Sequence, residues 1–316
     1  MNVHLATAAD EVWSRSLRDE VQAVALRDRV GRHSVVDDPG EADIILFLDA
    51  HQLLHDWRMH TLRTHAYVRY FPQKVFVYDE RDEPRDLLPG VYVCMPRGRF
   101  NSRRHRAVGY YKLKTDTRSA RDAKPDLLFS FQGRNTGGVR TDVLALRCAR
   151  ALIQDTSQHD FFEDGFGDAS GIRDEYQVVM GRSKFVLCPR GVGTSSFRLF
   201  EALACGRVPV ILSDDWVAPS GIDWASCSVR IAERDVAAVS RRLEAIEEGW
   251  PTMSAAAAAA YDEWFGPQAW FHRIVENCAE LQRTGVRNVK RQSLTIAYWR
   301  AGARYVRHAA RGLRAA

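Results

Sequence analysis

Residues 183–214 read SKFVLCPRGVGTSSFRLFEALACGRVPVILSD, and this order of residue types decides the fold class. Residues 184–188 form a short, mostly apolar run of the kind found in buried parallel strands, and Pro189 ends it. Two glycines, a helical pattern and a second apolar run follow. Strand, glycine turn, helix and strand in this order indicate an α/β unit with a parallel sheet.

The glycine turn, residues 190–196, has the features of a phosphate-binding loop. Gly191 and Gly193 let the backbone turn sharply and approach a ligand closely. One hydroxyl residue among 194–196 supplies the N-cap of the helix, which leaves free N–H groups and the positive end of the helix dipole above the turn. We therefore predict a bound diphosphate here, with an ordinary strand-to-helix turn as the alternative.

The helix after the glycine turn carries two charged residues on one face. Arg198 and Glu201 lie one turn apart near its start. A guanidinium suits a diphosphate, and a carboxylate suits the paired hydroxyls of a ribose. The pair predicts a nucleotide ligand, and a solvated Arg–Glu pair is the alternative.

These residues resemble the signature of a known family, the exostosin-like glycosyltransferases (GT47-like). The resemblance rests on Pro189-Arg190-Gly191, on SSFR at 195–198 with EAL at 201–203, on Gly206 with VPVILSD at 208–214, and on Trp216 and Pro219. It covers residues 125–225 well and the N-terminal half only in its pattern. The family implies a GT-B fold, in which two Rossmann-like domains face each other across a cleft. It also implies a nucleotide-sugar donor in the C-terminal domain and transfer with inversion at the anomeric carbon.

The resemblance also assigns roles by position. Arg190, Ser196 and Arg198 resemble the diphosphate-side residues of the family, and Glu201 resembles its ribose-binding carboxylate. Arg134, in a loop directly after a predicted strand, borders the same site by this resemblance, and a solvated loop arginine is the alternative. The full predicted donor set is Arg134, Arg190, Gly191, Gly193, Ser195, Ser196, Arg198 and Glu201.

Length and composition favour two domains. The chain has 316 residues, of which 46% are hydrophobic, enough for two ordinary cores. We predict an acceptor-side Rossmann-like domain at 1–122, a nucleotide-sugar-binding domain at 123–283 and a basic amphipathic helix at 284–316. The six cysteines are scattered, there is no evident secretion signal, and no run has the length of a membrane span. These features predict a cytoplasmic protein, peripheral on the inner membrane face.

Inversion requires a base that takes the proton of the attacking acceptor hydroxyl. Asp49 and Asp79 each follow a predicted strand of the N-terminal half and are the two candidates, with helix capping and surface charge as the alternative. The histidine pairs His51/His55 and His60/His65 lack the acidic or cysteine residues that would complete a metal site. We therefore predict metal-independent catalysis and no cofactor.

A cluster of arginines at 97–106 suggests where an anionic acceptor binds. Five arginines fall within ten residues, and Arg97, Arg103 and Arg104 are the predicted acceptor contacts. A lipid diphosphate-linked or phosphorylated glycan would suit them, and a solvated loop is the alternative.

The C-terminal segment is basic although the whole chain carries a net charge of only +5. If residues 293–313 are helical, arginines spaced by three and four fall on one face and aromatic residues on another. Binding of 284–316 to an anionic membrane surface is the first interpretation, and packing against the N-terminal domain is the second. Nucleic-acid binding ranks last because no nucleic-acid module accompanies the charge.

Together these features predict an inverting, metal-independent glycosyltransferase. It would transfer a sugar from a uridine diphosphate (UDP) sugar to a glycan acceptor in cell-surface polysaccharide or glycoconjugate synthesis. Two rival hypotheses remain. One is a non-catalytic nucleotide- or glycan-binding partner, and the other is a protein O-glycosyltransferase of related GT-B type.

Overall fold

The structure is a computed structural model that describes residues 1–9, 11–48, 60–86, 88–158 and 169–285, with the backbone alone at 169, 170 and 172. The chain divides into two compact units. Among the described residues, the first unit comprises those within 1–95, 99–108 and 267–285, and the second comprises 96–98 and those within 109–266.

The first unit contains a parallel sheet of six strands in the order β2-β1-β3-β4-β5-β6. The strands are β1 Asn2–Ala6, β2 Ser34–Val35, β3 Ile44–Phe47, β4 Val75–Asp79, β5 Gly90–Tyr92 and β6 His105–Ala107. The helices of this unit are α1 Val12–Ala25, α2 His60–Thr64, α3 Ala66–Tyr70 and α10 Trp270–Arg283.

The central strands β3 and β4 are almost entirely aliphatic and aromatic, and Asp79 at the end of β4 is their one charged residue. Every residue of β3 and β4 is buried. Helix α10 contributes Trp270, whose ring meets that of Tyr78 edge to face at 5.1 Å between centroids. Position 90 of β5 has room only for glycine, because a Cβ built there would lie 2.1 Å from the Val77 carbonyl oxygen.

The second unit contains a parallel sheet of five strands in the order β11-β10-β9-β7-β8. The strands are β7 Leu127–Gly133, β8 Ala151–Asp155, β9 Ser183–Pro189, β10 Val208–Leu212 and β11 Val229–Arg230. The helices of this unit are α4 Val139–Ala145, α5 Ala169–Gly181, α6 Phe197–Ala204, α7 Trp224–Cys227, α8 Val239–Ile246 and α9 Trp250–Trp264.

A buried arginine connects several segments of the second unit. Arg207 is 2% exposed and follows α6. Its Nη2 donates to the carbonyl oxygens of Gly181 and Ala123, at 2.7 Å each, and at 3.3 Å to the carbonyl of Ala120. Burial lowers the pKa of the Arg207 guanidinium. The arginine thus links the segment around Ala120 and Ala123 to Gly181 at the end of α5.

Both sheets share one strand order. We number the strands of each unit in chain order, leaving out the edge strand β6 and starting the second unit at β7. The order of strands across each sheet is then 2-1-3-4-5. In this order the direction of winding reverses between the first and third strands, and ligands bind at the carboxyl ends of the strands at that point. In the second unit this switch point lies between β7 and β9. The predicted α/β fold class with two Rossmann-like units, as in GT-B, is confirmed.

The division of the chain differs from the predicted boundaries at 122 and 283 in two places. Residues 109–122 belong to the second unit, where Tyr110 stacks on Phe197 with ring centroids 3.7 Å apart. Helix α10 belongs to the first unit, where Gln282 Nε2 donates to the Asp43 carbonyl at 3.0 Å.

The predicted basic helix at 284–316 lies outside the described residues except for 284 and 285, and its membrane role stays a prediction. Within the part of the chain that the structure describes, no helix is both long enough and apolar enough to cross a membrane.

Candidate functional site

The glycine turn lies at the switch point of the second sheet. It leaves the carboxyl end of β9 and enters α6, and β7, the neighbouring strand, ends at Gly133. The carboxyl ends of β7 and β9 therefore lie side by side at one edge of the sheet. The predicted strand, turn and helix are all present.

Several polar atoms at the start of α6 are buried and have no partner among the described residues. They are the Oγ atoms of Ser195 and Ser196 and Nε of Arg198. Ser195 is only 5% exposed. Ser196 precedes the helix in extended conformation (φ −149°, ψ 145°), but its side chain makes no capping hydrogen bond. A buried polar group without a partner costs about 1–3 kcal/mol, so this cluster of donors indicates a ligand site.

Arg198 is held by the end of β7. Its Nη2 donates to the Gln132 carbonyl, and its guanidinium carbon lies 4.6 Å from the centre of the Phe131 ring. Space for this arrangement depends on Gly133, because a Cβ there would lie 2.6 Å from Arg198 Nη2. One face of the guanidinium is thus fixed by packing, while Nε has no partner among the described residues.

Glu201 lies deeper than its predicted ribose-binding role suggests. It is 3% exposed. Its Oε1 accepts from the Thr115 backbone N–H at 3.0 Å, and its Oε2 accepts from the Tyr176 hydroxyl at 2.7 Å. Burial raises the pKa of this carboxyl, while the Tyr176 hydrogen bond and the nearby Arg198 charge lower it. The carboxylate holds the segment around Thr115 to α6, and ribose binding stays a prediction that requires this segment to move.

The other two predicted donor-site arginines lie directly after strands, Arg134 after β7 and Arg190 after β9. Arg190 Nε pairs with Glu233 Oε1 at 2.8 Å, and Arg134 is exposed after β7. Arg140 of α4 connects them, because its Nε donates to the Arg190 carbonyl at 3.1 Å and its Nη1 to the Arg134 carbonyl at 2.9 Å. Sequence reasoning missed Arg140, since only the fold brings it to both loops.

The glycines of the turn differ in their surroundings. A Cβ at Gly191 would lie 3.0 Å from Arg140 Nη2, so a side chain there would displace this arginine. Gly193 is buried. The nearby guanidinium of Arg140 therefore restricts the size of the residue at position 191.

Of the two predicted bases, the structure describes only Asp79. Asp49 lies outside the described residues. Asp79, at the end of β4, is fully buried, and its Oδ2 lies 2.6 Å from Nη2 of Arg81. The Arg81 Nε also donates to Asp79 Oδ1 at 3.1 Å. Asp79 is thus part of a buried ion pair, and a role as base stays a prediction for both residues.

The predicted acceptor arginines belong to different units. Arg97 belongs to the second unit, where its Nη2 donates to the Trp216 carbonyl at 3.1 Å. Arg103 and Arg104 belong to the first unit, where Arg104 pairs with Asp86 at 3.2 Å and Arg103 is exposed. Acceptor binding by this set stays a prediction.

Of the two histidine pairs considered as metal ligands, the structure describes only His60 and His65. His51 and His55 lie outside the described residues. His65 Nδ1 accepts the backbone N–H of Tyr67 and so caps α3, and His60 lies exposed on α2.

A family model matches the part of the chain that contains this site. Residues 99–246 match the exostosin GT47 domain, which confirms the predicted resemblance. The Exostosin-1 homolog of Caenorhabditis elegans is 42% identical over 71 residues, which are 22% of this chain and 19% of that protein. The probable glucuronoxylan glucuronosyltransferase IRX7 of Arabidopsis thaliana is 44% identical over 71 residues, 22% of this chain and 16% of that protein. The chain thus matches less than a fifth of the length of these two relatives.

Among solved structures, a glycosyltransferase from Rickettsia africae aligns with a TM-score of 0.45 at 9% identity. The alignment covers 90% of this chain and 98% of that one.

Proposed function

We propose that this chain is a glycosyltransferase that uses a nucleotide-sugar donor, because residues 99–246 match the exostosin GT47 domain. The donor is a UDP-sugar, the acceptor is a glycan, and transfer inverts the anomeric carbon without a metal ion. The name of one relative, a probable glucuronoxylan glucuronosyltransferase, supports a glycan acceptor. Synthesis of a polysaccharide or glycoconjugate is the corresponding process.

One observation carries this proposal: the group of buried, unpartnered donors at the start of α6. The hydroxyls of Ser195 and Ser196 and the Arg198 Nε–H lie at the switch point of the second sheet without partners among the described residues. The N-terminal amides of a helix and its dipole add further donors and positive potential. A diphosphate offers oxygen acceptors and negative charge, which match this set.

The same groups assist the chemistry at the leaving group. The acceptor hydroxyl oxygen attacks the anomeric carbon, the bond between that carbon and the diphosphate oxygen breaks, and the nucleoside diphosphate departs with the bonding electron pair. Arg198 and the helix amides stabilise the charge that develops on the leaving oxygen, which accelerates the step. The proton of the acceptor hydroxyl passes to a carboxylate base, for which Asp49 is our candidate.

A turnover assay tests this function. The full chain is incubated with a panel of UDP-sugars and oligosaccharide acceptors in excess chelator, and released UDP is measured. We expect UDP release that depends on the acceptor. The double variant Ser195→Ala, Ser196→Ala should lower the rate by about 5- to 150-fold, since two lost hydrogen bonds together cost about 1–3 kcal/mol.

The same variant provides its own stability control. Its melting temperature should not fall, because neither hydroxyl has a partner to lose among the described residues. UDP binding without turnover with any sugar would support the non-catalytic alternative. Activity that is abolished by chelator and restored by Mn²⁺ would contradict the metal-independent mechanism.

A further inference from the structure

Two histidines and a glutamate lie close together in the first unit, whereas the described residues of the nucleotide site belong to the second. His33 precedes β2, and His272 and Glu276 lie one turn apart on α10. The imidazole rings stack with centroids 5.0 Å apart at an angle of 20°. One ligand atom from each of the three side chains lies within 4.8 Å of the others.

Two of the four ring nitrogens of this group are buried without a hydrogen-bond partner among the described residues. The His33 side chain is 2% exposed and His272 is 8% exposed. His33 Nε2 lies 3.3 Å from Glu276 Oε1 but is not aligned for a hydrogen bond, and His272 Nδ1 has no partner among the described residues. Nearly all buried polar atoms in proteins are paired, so these two nitrogens suggest a further ligand.

A second carboxylate faces the same cluster. Asp28 Oδ2 accepts the Gly31 backbone N–H at 3.1 Å, while Oδ1 is buried and unpartnered among the described residues. Its charge acts on both imidazoles. Two carboxylates and two imidazoles together offer the donor types that zinc prefers.

We propose that His33, His272 and Glu276 bind a divalent transition-metal ion of the zinc type, with Asp28 beside them as the second carboxylate-bearing residue. Two ligands of a tetrahedral zinc, each about 2.0–2.2 Å from the metal, lie about 3.3–3.5 Å apart. The observed 3.3 Å between His33 Nε2 and Glu276 Oε1 fits this spacing. The other ligand atoms lie within 4.8 Å of one another, which exceeds this spacing, so the side chains must move closer together to bind an ion.

Cationic groups near the cluster oppose the binding of a cation, and the carboxylates offset them. The amino terminus lies 3.4 Å from His33 Nδ1, and Arg32 and Arg273 are close enough to affect His272. The two carboxylates of Glu276 and Asp28 balance the charge of one divalent ion.

Such an ion would connect distant parts of the sequence within the first unit. The loop that contains His33 already contacts the start of α10, because the Arg29 backbone N–H donates to the Gln268 carbonyl at 2.9 Å. A metal bound by His33, His272 and Glu276 would fasten α10 to this loop. The site therefore has a structural role and leaves the proposed transfer chemistry independent of metal.

Zinc titration of the chelator-stripped full chain tests the site. We expect one bound Zn²⁺ per chain in calorimetry, with a rise in melting temperature. Co²⁺ in place of Zn²⁺ should give visible absorption bands typical of a four-coordinate site with nitrogen and oxygen ligands. His272→Ala should abolish both signals, while the control His60→Ala, on exposed α2, should keep them.

A second variant keeps the test valid if His272→Ala does not fold. Glu276 is 41% exposed on its side chain, so Glu276→Gln should fold normally. It should weaken Zn²⁺ binding by at least about tenfold. Loss of a residue that only hydrogen-bonds to a metal ligand already has an effect of this size, and Glu276 is proposed to bind the metal directly. Equal Zn²⁺ affinity in the unchanged chain and Glu276→Gln, or no stoichiometric binding, would overturn the proposal.

Discussion

Replacement of Arg207 by alanine is expected to lower the free energy of unfolding of the second unit by about 3–5 kcal/mol. The guanidinium donates at 2.7 Å to the carbonyls of Gly181 and Ala123 from a side chain that is 2% exposed. Hydrogen bonds from a charged group contribute about 1.5–3 kcal/mol each, and the replacement removes those that Arg207 donates to Gly181 and Ala123. Urea unfolding followed by circular dichroism measures the change.

Arg234→Ala is the matched control for this variant. The Arg234 side chain is 87% exposed, and its pair with Asp235 is 3.9 Å long. Its replacement should change the free energy of unfolding by less than about 0.5 kcal/mol. If Arg207→Ala is no more destabilising than Arg234→Ala, the buried arginine does not hold these segments together.

Replacement of Arg198 by alanine is expected to weaken UDP binding by about 1.5–3 kcal/mol, or about 10- to 150-fold. The side chain is fixed by the Phe131 ring and the Gln132 carbonyl, so it meets a diphosphate with little loss of conformational freedom. Calorimetric titration with UDP measures the loss. Unchanged affinity would remove Arg198 from the donor site.

Gly133→Ala tests the position of this arginine without removing its charge. The added methyl would lie 2.6 Å from Arg198 Nη2, so the guanidinium must move. We expect weaker UDP binding in this variant as well. Gly249→Ala is its control, because a Cβ there has no neighbour within 4 Å, and its UDP affinity should equal that of the unchanged chain.

The sequence predicted the parts of the site that depend on neighbouring residues. The apolar run of β9, the glycine turn and the helix α6 follow from local pattern, and the structure contains all three. Their position at a switch point follows from the parallel sheet. Local propensity and the long-range fold agree in this region, so its prediction succeeded.

Features that depend on contacts between distant residues could not be predicted. Glu201 pairs with Tyr176 and Thr115, which a helix-face argument does not reveal. The amphipathic pattern of α10 predicts a buried face but does not say which sheet covers it. Likewise, His33 and His272 are far apart in sequence and approach each other only in the folded first unit.

The most direct test of a diphosphate site at the start of α6 compares two ligands by calorimetry on the full chain, UDP and uridine. The unpartnered donors of Ser195, Ser196 and Arg198 predict that the diphosphate supplies most of the binding free energy. We expect UDP to bind at one site per chain, at least about 100-fold more tightly than uridine, since two charged hydrogen bonds contribute about 3 kcal/mol or more. Equal affinities for UDP and uridine, or no binding of UDP, would contradict the account.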